Sequence, residues 1–194
     1  MRFGYSQFRV IPPARVGVFF GVHLGSVRIH NLRAMEEQLE ALFSLYERNN
    51  GRFSLALFSI DWCDEEHANS DTLLREFAGL LQSCARDTDI VARYSPEEFA
   101  VLMLQTSLAG AIIYSERLLR RIDAESQLVL AGSIVEVQHD DHAEKILSRA
   151  DSALYSTRAN GYSCLYQHNG QHICPHGIQL SSGETAPSEE KIEG

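Results

Sequence analysis

Residues Phe53 to Ile60 read Phe-Ser-Leu-Ala-Leu-Phe-Ser-Ile. A strand with one wet face alternates apolar and polar side chains. This one is apolar at nearly every position, so both of its faces have to be covered. A chain that contains it needs a layered α/β arrangement, with the strand central in a sheet and helices on both sides. The helices are legible in the spacing. Leu32, Met35, Leu39, Leu42 and Tyr46 recur at three- and four-residue steps and predict a helix over Asn31 to Arg48. Asn49-Asn50-Gly51 stops it, with Gly51 suited to a left-handed cap. Thr72 to Cys84 places Leu73, Leu74, Phe77, Leu80, Leu81 and Cys84 inward. Ser107 to Arg121 does the same with Leu108, Ile112, Leu118, Leu119 and Ile122, and carries Arg117, Arg120 and Arg121 as a basic end, read as a solvated face that complements the helix dipole. Gln127 to Val137 reads as a strand. Asp140-Asp141 are read as the cap of a fourth helix ending near Arg158, and Ser163 to Tyr166 as the last strand.

A chain of 194 residues, 44% hydrophobic and 22% charged, is long enough for one domain with a full core. Its net charge of −9 offers no basic stripe and argues against nucleic acid as a partner. The start shows no secretion signal, and no apolar run is long enough to span a bilayer, so no membrane partner is expected. Cys63, Cys84, Cys164 and Cys174 form no C-x-x-C pair, which fits free thiols in a reducing cytoplasm.

Ile90 to Leu104 reads as two strands joined at Arg93-Tyr94-Ser95-Pro96-Glu97-Glu98-Phe99. Pro96 fixes φ near −65°, which suits the second position of a type I turn from Ser95 to Glu98. Glu97 and Glu98 then lie at the tip, either solvated or able to face a divalent cation. The stretch resembles the signature hairpin of GGDEF domains, the bacterial diguanylate cyclase family, with Ser95-Pro96 in place of the glycine pair. Ala150-Asp151-Ser152-Ala153-Leu154-Tyr155 is similar to a second family motif. The resemblance runs over about residues 24–167. It implies a mixed central sheet around a βαββαβ palm-like core wrapped by helices, as in nucleotide cyclases. Residues 1–23 are then an extension, in which Val16 to Gly21 could form a short strand, and 168–194 a disordered tail.

Active members of the family join two GTP molecules across a homodimer with metal ions. Against that pattern this chain departs in several places. The resemblance puts Ser59 where an acid would help the hairpin Glu grip metal. The segment between Asp61 and His67 is about five residues shorter than expected and lacks an Asn that reads guanine. Tyr162 stands for a phosphate-binding Arg, while Arg158 keeps the charge of a triphosphate-binding Lys. Pro96 has no N–H and cannot adopt φ > 0. Asp71 survives at a guanine-contacting position, though it also reads as a helix N-cap. These departures imply that no catalytic residue operates and that Glu97, Glu98, Asp71 and Arg158 are remnants, with no metal or cofactor. Mg²⁺ enters only if weak GTP cyclisation survives. Arg86 and Asp89 fall where the family carries the Arg-x-x-Asp of its product-binding site, which implies cyclic di-GMP as ligand. The resemblance offers Arg117, Arg120 and Arg121 a second role beside the solvated face, as another basic wall for that ligand. A scaffold acting through a protein partner or a homodimer is the alternative. His168, His172, Cys174 and His176 have metal-friendly side chains, but in a tail without a frame they are not expected to form a site.

Overall fold

The structure, a computed structural model, describes residues 29–49, 51–62, 71–123, 128–160 and 164–176. In chain order the elements are β1 (His30–Asn31), α1 (Leu32–Asn49), β2 (Phe53–Trp62), α2 (Asp71–Cys84), β3 (Ile90–Arg93), β4 (Glu98–Leu104), α3 (Leu108–Asp123), β5 (Leu128–Glu136), α4 (Ala143–Ala159), β6 (Cys164–His168) and β7 (Ile173–His176). Each helix and strand expected between residues 31 and 166 is present, with ends moved by a few residues. The expected Val16 to Gly21 strand lies outside the described residues.

The strands form one mixed sheet in the order β1-β3-β4-β2-β5-β6-β7. β2 is flanked by β4 and β5, antiparallel to both, as its two-sided apolar character requires. Its side chains alternate between two cores. Phe53, Leu55 and Leu57 pack with Met35, Leu39 and Phe43 of α1 and with Ile146, Ala150 and Leu154 of α4. Ala56, Phe58 and Ile60 pack with Phe77 and Leu81 of α2 and Leu118 and Leu119 of α3. Burying each large side chain in this way contributes about 1.5–3 kcal/mol, so the two cores fix which helix lies on which face. The run β2-α2-β3-β4-α3-β5 is the expected βαββαβ core.

Two local expectations are corrected and a third is refined. Order does not stop at residue 168, because β7 pairs antiparallel with β6 through Leu165–His176 to His168–Ile173, so 164–168 is not the last strand. The turn between them uses Gly170 at φ 97°, where glycine is favoured. Asp141 does not cap α4. The N-cap is His142, which makes no side-chain capping bond, and Asp141 instead forms an ion pair with Arg149, with no exposed side-chain surface of its own. Arg117 and Arg121 are exposed, as a solvated face requires, but each is also tied to α2. Arg117 Nη2 donates to Cys84 O and Arg121 Nη1 to Ser83 Oγ at 2.8 Å, so both close over the end of α2. Arg120 pairs instead along its own helix, with Glu116 at 3.3 Å.

Candidate functional site

The β3–β4 hairpin folds over the end of β2. Its turn runs from Ser95 to Glu98, with Glu98 N–H donating to Ser95 O at 3.4 Å and the Tyr94 and Ser95 N–H groups donating to Glu98 O at 2.8 and 3.1 Å. Positive φ occurs among the described residues only at Gln105 and Gly170, so this turn is built without a left-handed residue, as Pro96 demands. Arg93 braces it, donating from Nη2 to Pro96 O at 2.6 Å and from Nε to Ser95 O at 3.3 Å. The tip is stitched to β2 by Ile60 N–H donating to Glu97 O at 3.1 Å.

The register sets Ser59 opposite Glu98, and the guanidinium of Arg158 enters between them from the end of α4. Arg158 Nε donates to Ser59 Oγ at 3.1 Å, Nη2 also donates to Ser59 Oγ, and Nη2 lies 2.9 Å from Glu98 Oε1. Three of the positions singled out in the sequence therefore meet at one point. Glu97, its neighbour, is exposed. Asp71 is the first residue of α2, but its side chain, the segment 63–70 and Tyr162 lie outside the described residues.

Behind this triad, Tyr94 Oη donates to Asp151 Oδ2 at 3.2 Å. Burial pushes the Asp151 carboxyl up to about 6, aided by the nearby Glu98 charge and opposed by the Tyr94 hydrogen bond and the Arg158 charge. Burial, together with the Asp151 carboxylate, also raises the Tyr94 phenol. Asp151 holds its proton more tightly folded than unfolded, so its contribution lowers stability as pH rises between about 4 and 6. Asp151→Asn keeps an acceptor for Tyr94. It should flatten that part of the Tm–pH curve and raise Tm above pH 6. A variant with the wild-type slope would show that another group titrates there.

At the far end of α2, Arg86 and Asp89 form a closed turn. Asp89 Oδ2 accepts from Arg86 N–H at 2.8 Å and Asp89 N–H donates to Arg86 O at 2.9 Å. The second oxygen, Oδ1, is buried and makes no hydrogen bond of ordinary geometry. Burial raises the Asp89 pKa, against the Arg86 N–H and charge, the Leu104 backbone and the Arg117 charge. The Leu104 backbone thus bears on the carboxyl without meeting ordinary hydrogen-bond geometry. The turn borders a cavity of about 390 Å³ that Arg117 and Arg121 of α3 also line. Arg117 stacks on Tyr114 with its guanidinium carbon 5.8 Å from the ring centroid. The sequence placed Arg86 and Asp89 as a pair. The resemblance offered Arg117, Arg120 and Arg121 as a second basic wall for the same ligand only as the lesser reading, because helical phase alone does not say which residues of another helix a face will meet. Among the described residues there is no group of three or more His, Cys, Asp or Glu side chains gathered as for a metal ion. His168 accepts from Gly170 N–H at 2.9 Å, and His176 lies 3.1 Å from Glu116.

The antiparallel core with a hairpin folded over the end of its central strand defines a nucleotide-cyclase-like α/β domain. Residues 27–164 match the family model described as "Diguanylate cyclase, GGDEF domain", and the chain belongs to the GGDEF family. It is 30% identical over 149 residues to the response regulator PleD of Caulobacter vibrioides, covering 69% of this chain and 33% of PleD. It is 33% identical over 104 residues to diguanylate cyclase A of Treponema denticola, covering 49% of this chain and 28% of that protein. The chain thus spans about a third or less of the length of these relatives. Among solved structures, the GGDEF domain of DgcB from Caulobacter crescentus in complex with c-di-GMP superposes with a TM-score of 0.67 at 18% identity, covering 79% of this chain and 98% of that one. The GGDEF domain of FimX from Pseudomonas aeruginosa gives 0.67 at 17% identity, covering 73% and 96%. These likenesses establish the fold. No helix among the described residues is long and apolar enough to cross a membrane.

Proposed function

We propose that this domain binds cyclic di-GMP at the Arg86–Asp89 cavity and does not cyclise GTP. The observation that carries the reading is the convergence of three guanidinium-bearing residues, Arg86, Arg117 and Arg121, with the carboxylate of Asp89 around one 390 Å³ space. A cyclic dinucleotide presents two phosphates and guanine edges rich in N–H donors. Guanidinium forks match phosphate oxygens, and a carboxylate can accept from guanine N–H groups. Relatives of this fold have been solved with c-di-GMP bound, the DgcB domain among them.

The other end of the domain supports the second half. By family resemblance a divalent cation would lie between residue 59 and the hairpin Glu. Here Ser59 brings no charge, and Glu98 is already paired with Arg158. A hard dication takes several anionic oxygens. This pair supplies one carboxylate, and the guanidinium that neutralises it would repel the metal. The residues present at this point do not fit a metal, and no step is derived through one. The loss of one charge-stabilising group in an active site costs about 100-fold or more in rate, and here a cation also stands in the way. Relay of occupancy to a protein partner or a second copy completes the reading.

Titration calorimetry with cyclic di-GMP should give a saturable heat. Its absence at high micromolar ligand would remove the binding assignment and leave a scaffold acting through protein contacts. Incubation with GTP and Mg²⁺ or Mn²⁺ should yield no cyclic product. Product that disappears in Glu97→Ala would restore the enzyme reading.

A further inference from the structure

The contact of Arg158 with Glu98 and Ser59 joins three elements, α4, β4 and β2, at one point. Each arm of it is fixed by other contacts. The end of α4 is anchored beside Arg158, where Oγ1 of the buried Thr157 lies 3.0 Å from Gly132 O of β5. Ser59 is only 1% exposed, and its strand is paired on both sides, opposite Glu98 and Ala131. Glu98 closes the hairpin turn with its own backbone, donating to Ser95 O and accepting from the Tyr94 and Ser95 N–H groups. A contact that holds the Glu98 side chain therefore holds the turn.

The charges of these three side chains balance. Glu98 brings one negative charge, Arg158 one positive and Ser59 none. A dication set against Glu98 and Ser59 in place of the guanidinium would leave a positive charge in excess, and Mg²⁺ gives up its water reluctantly. A guanidinium is weakly hydrated and presents its N–H groups in a rigid fork. That fork is in use here, with Nε and Nη2 on Ser59 Oγ and Nη2 on Glu98 Oε1 as well. A hydroxyl oxygen is a poor ligand for a hard dication but an ordinary acceptor for N–H. The Arg158 side chain is 38% exposed and that of Glu98 18%, so salt screens this pair less than one lying fully in solvent.

We propose that Arg158 is a built-in cation, a positioning residue that holds the hairpin turn against β2 and α4 and makes its placement independent of divalent metal. The inference rests on the metal-free half of the reading above. Its test contains no nucleotide, so turnover of GTP is judged separately, by product formation. The probe is hydrogen exchange of the Ile60 amide, which donates to Glu97 O across the hairpin tip, with the Ala111 amide of α3 as a distant reference. In the full chain Ile60 should exchange at one rate in EDTA and in millimolar Mg²⁺. Arg158→Gln should speed it by about tenfold, the low end of what a hydrogen bond to a charged group contributes, and leave Ala111 within about twofold. The double variant Arg158→Gln/Ser59→Asp puts two carboxylates where the guanidinium was. Its Ile60 amide should exchange fast in EDTA and slowly in Mg²⁺. Should that variant fail to fold, the wild-type and Arg158→Gln arms decide by themselves. Slower wild-type exchange of Ile60 in Mg²⁺ than in EDTA would overturn the proposal, because a metal would then be holding the turn. So would an Ile60 rate unchanged by Arg158→Gln, an equal speeding of Ala111, or a folded double variant indifferent to Mg²⁺.

Discussion

Arg86→Ala should weaken cyclic di-GMP binding by about 10- to 100-fold and leave thermal unfolding where it was. A hydrogen bond to a charged group contributes about 1.5–3 kcal/mol, and that converts to this range. The two halves of the prediction separate because Arg86 is exposed and its turn is closed by backbone atoms. It is the Arg86 N–H, not the guanidinium, that Asp89 Oδ2 accepts. The neighbouring arginines behave differently. Arg117 donates to Cys84 O and stacks on Tyr114, and Arg121 donates to Ser83 Oγ. Arg117→Ala should therefore lower both affinity and Tm, since it uncaps the end of α2 as it removes a cation. Calorimetry beside a thermal melt reads both quantities. Equal affinity in Arg86→Ala and wild type would place the ligand elsewhere.

Arg149→Ala should be the most damaging single substitution outside the two apolar cores, costing about 3–5 kcal/mol, the usual result of leaving a buried charge without its partner. Asp141 has no exposed side-chain surface and Arg149 only 7%. Asp141 Oδ2 accepts from Arg149 and, at 2.9 Å, from Gln138 N–H. Its other oxygen has only Lys145 at 3.9 Å. Arg149 also donates to Glu136 O at 2.8 Å and His168 O at 3.2 Å, so one side chain ties the end of β5, α4 and the β6–β7 hairpin together. Urea unfolding would measure the loss. The double variant Asp141→Leu/Arg149→Met should recover much of it, because an apolar pair leaves no unpaired charge. A single variant that loses less than about 1 kcal/mol, the level of a surface ion pair, would show that the pair is solvated.

The positions read from sequence divide by the kind of information they needed. Arg86 and Asp89 were paired by resemblance, because an Arg-x-x-Asp at that distance from the hairpin matches the family's pattern, whereas charged residues three apart at a helix end are common by themselves. Arg158 was legible as a charge and as a remnant, but not for what it does. Its partner Ser59 lies 99 positions away, and Glu98 joins them only because β2 and β4 pair in one register. The Arg149 network was missed altogether. Asp141 sits where a helix cap is common, and nothing local distinguishes a capping carboxylate from a buried one. β7 was missed for a related reason. Ile173-Cys174-Pro175-His176 is short and mixed, and it is held through contacts such as His176 with Glu116 of α3.

The order of residues along the chain was enough to specify the layered fold. Its two apolar periodicities report burial of one strand face or one helix stripe, and apolar burial is the largest favourable contribution to folding. Where the charges went was settled only in three dimensions. A guanidinium on a long side chain bonds to whatever acceptors the packed layers bring within about 3 Å, and that distance is set by strand register and helix placement, not by neighbours along the chain.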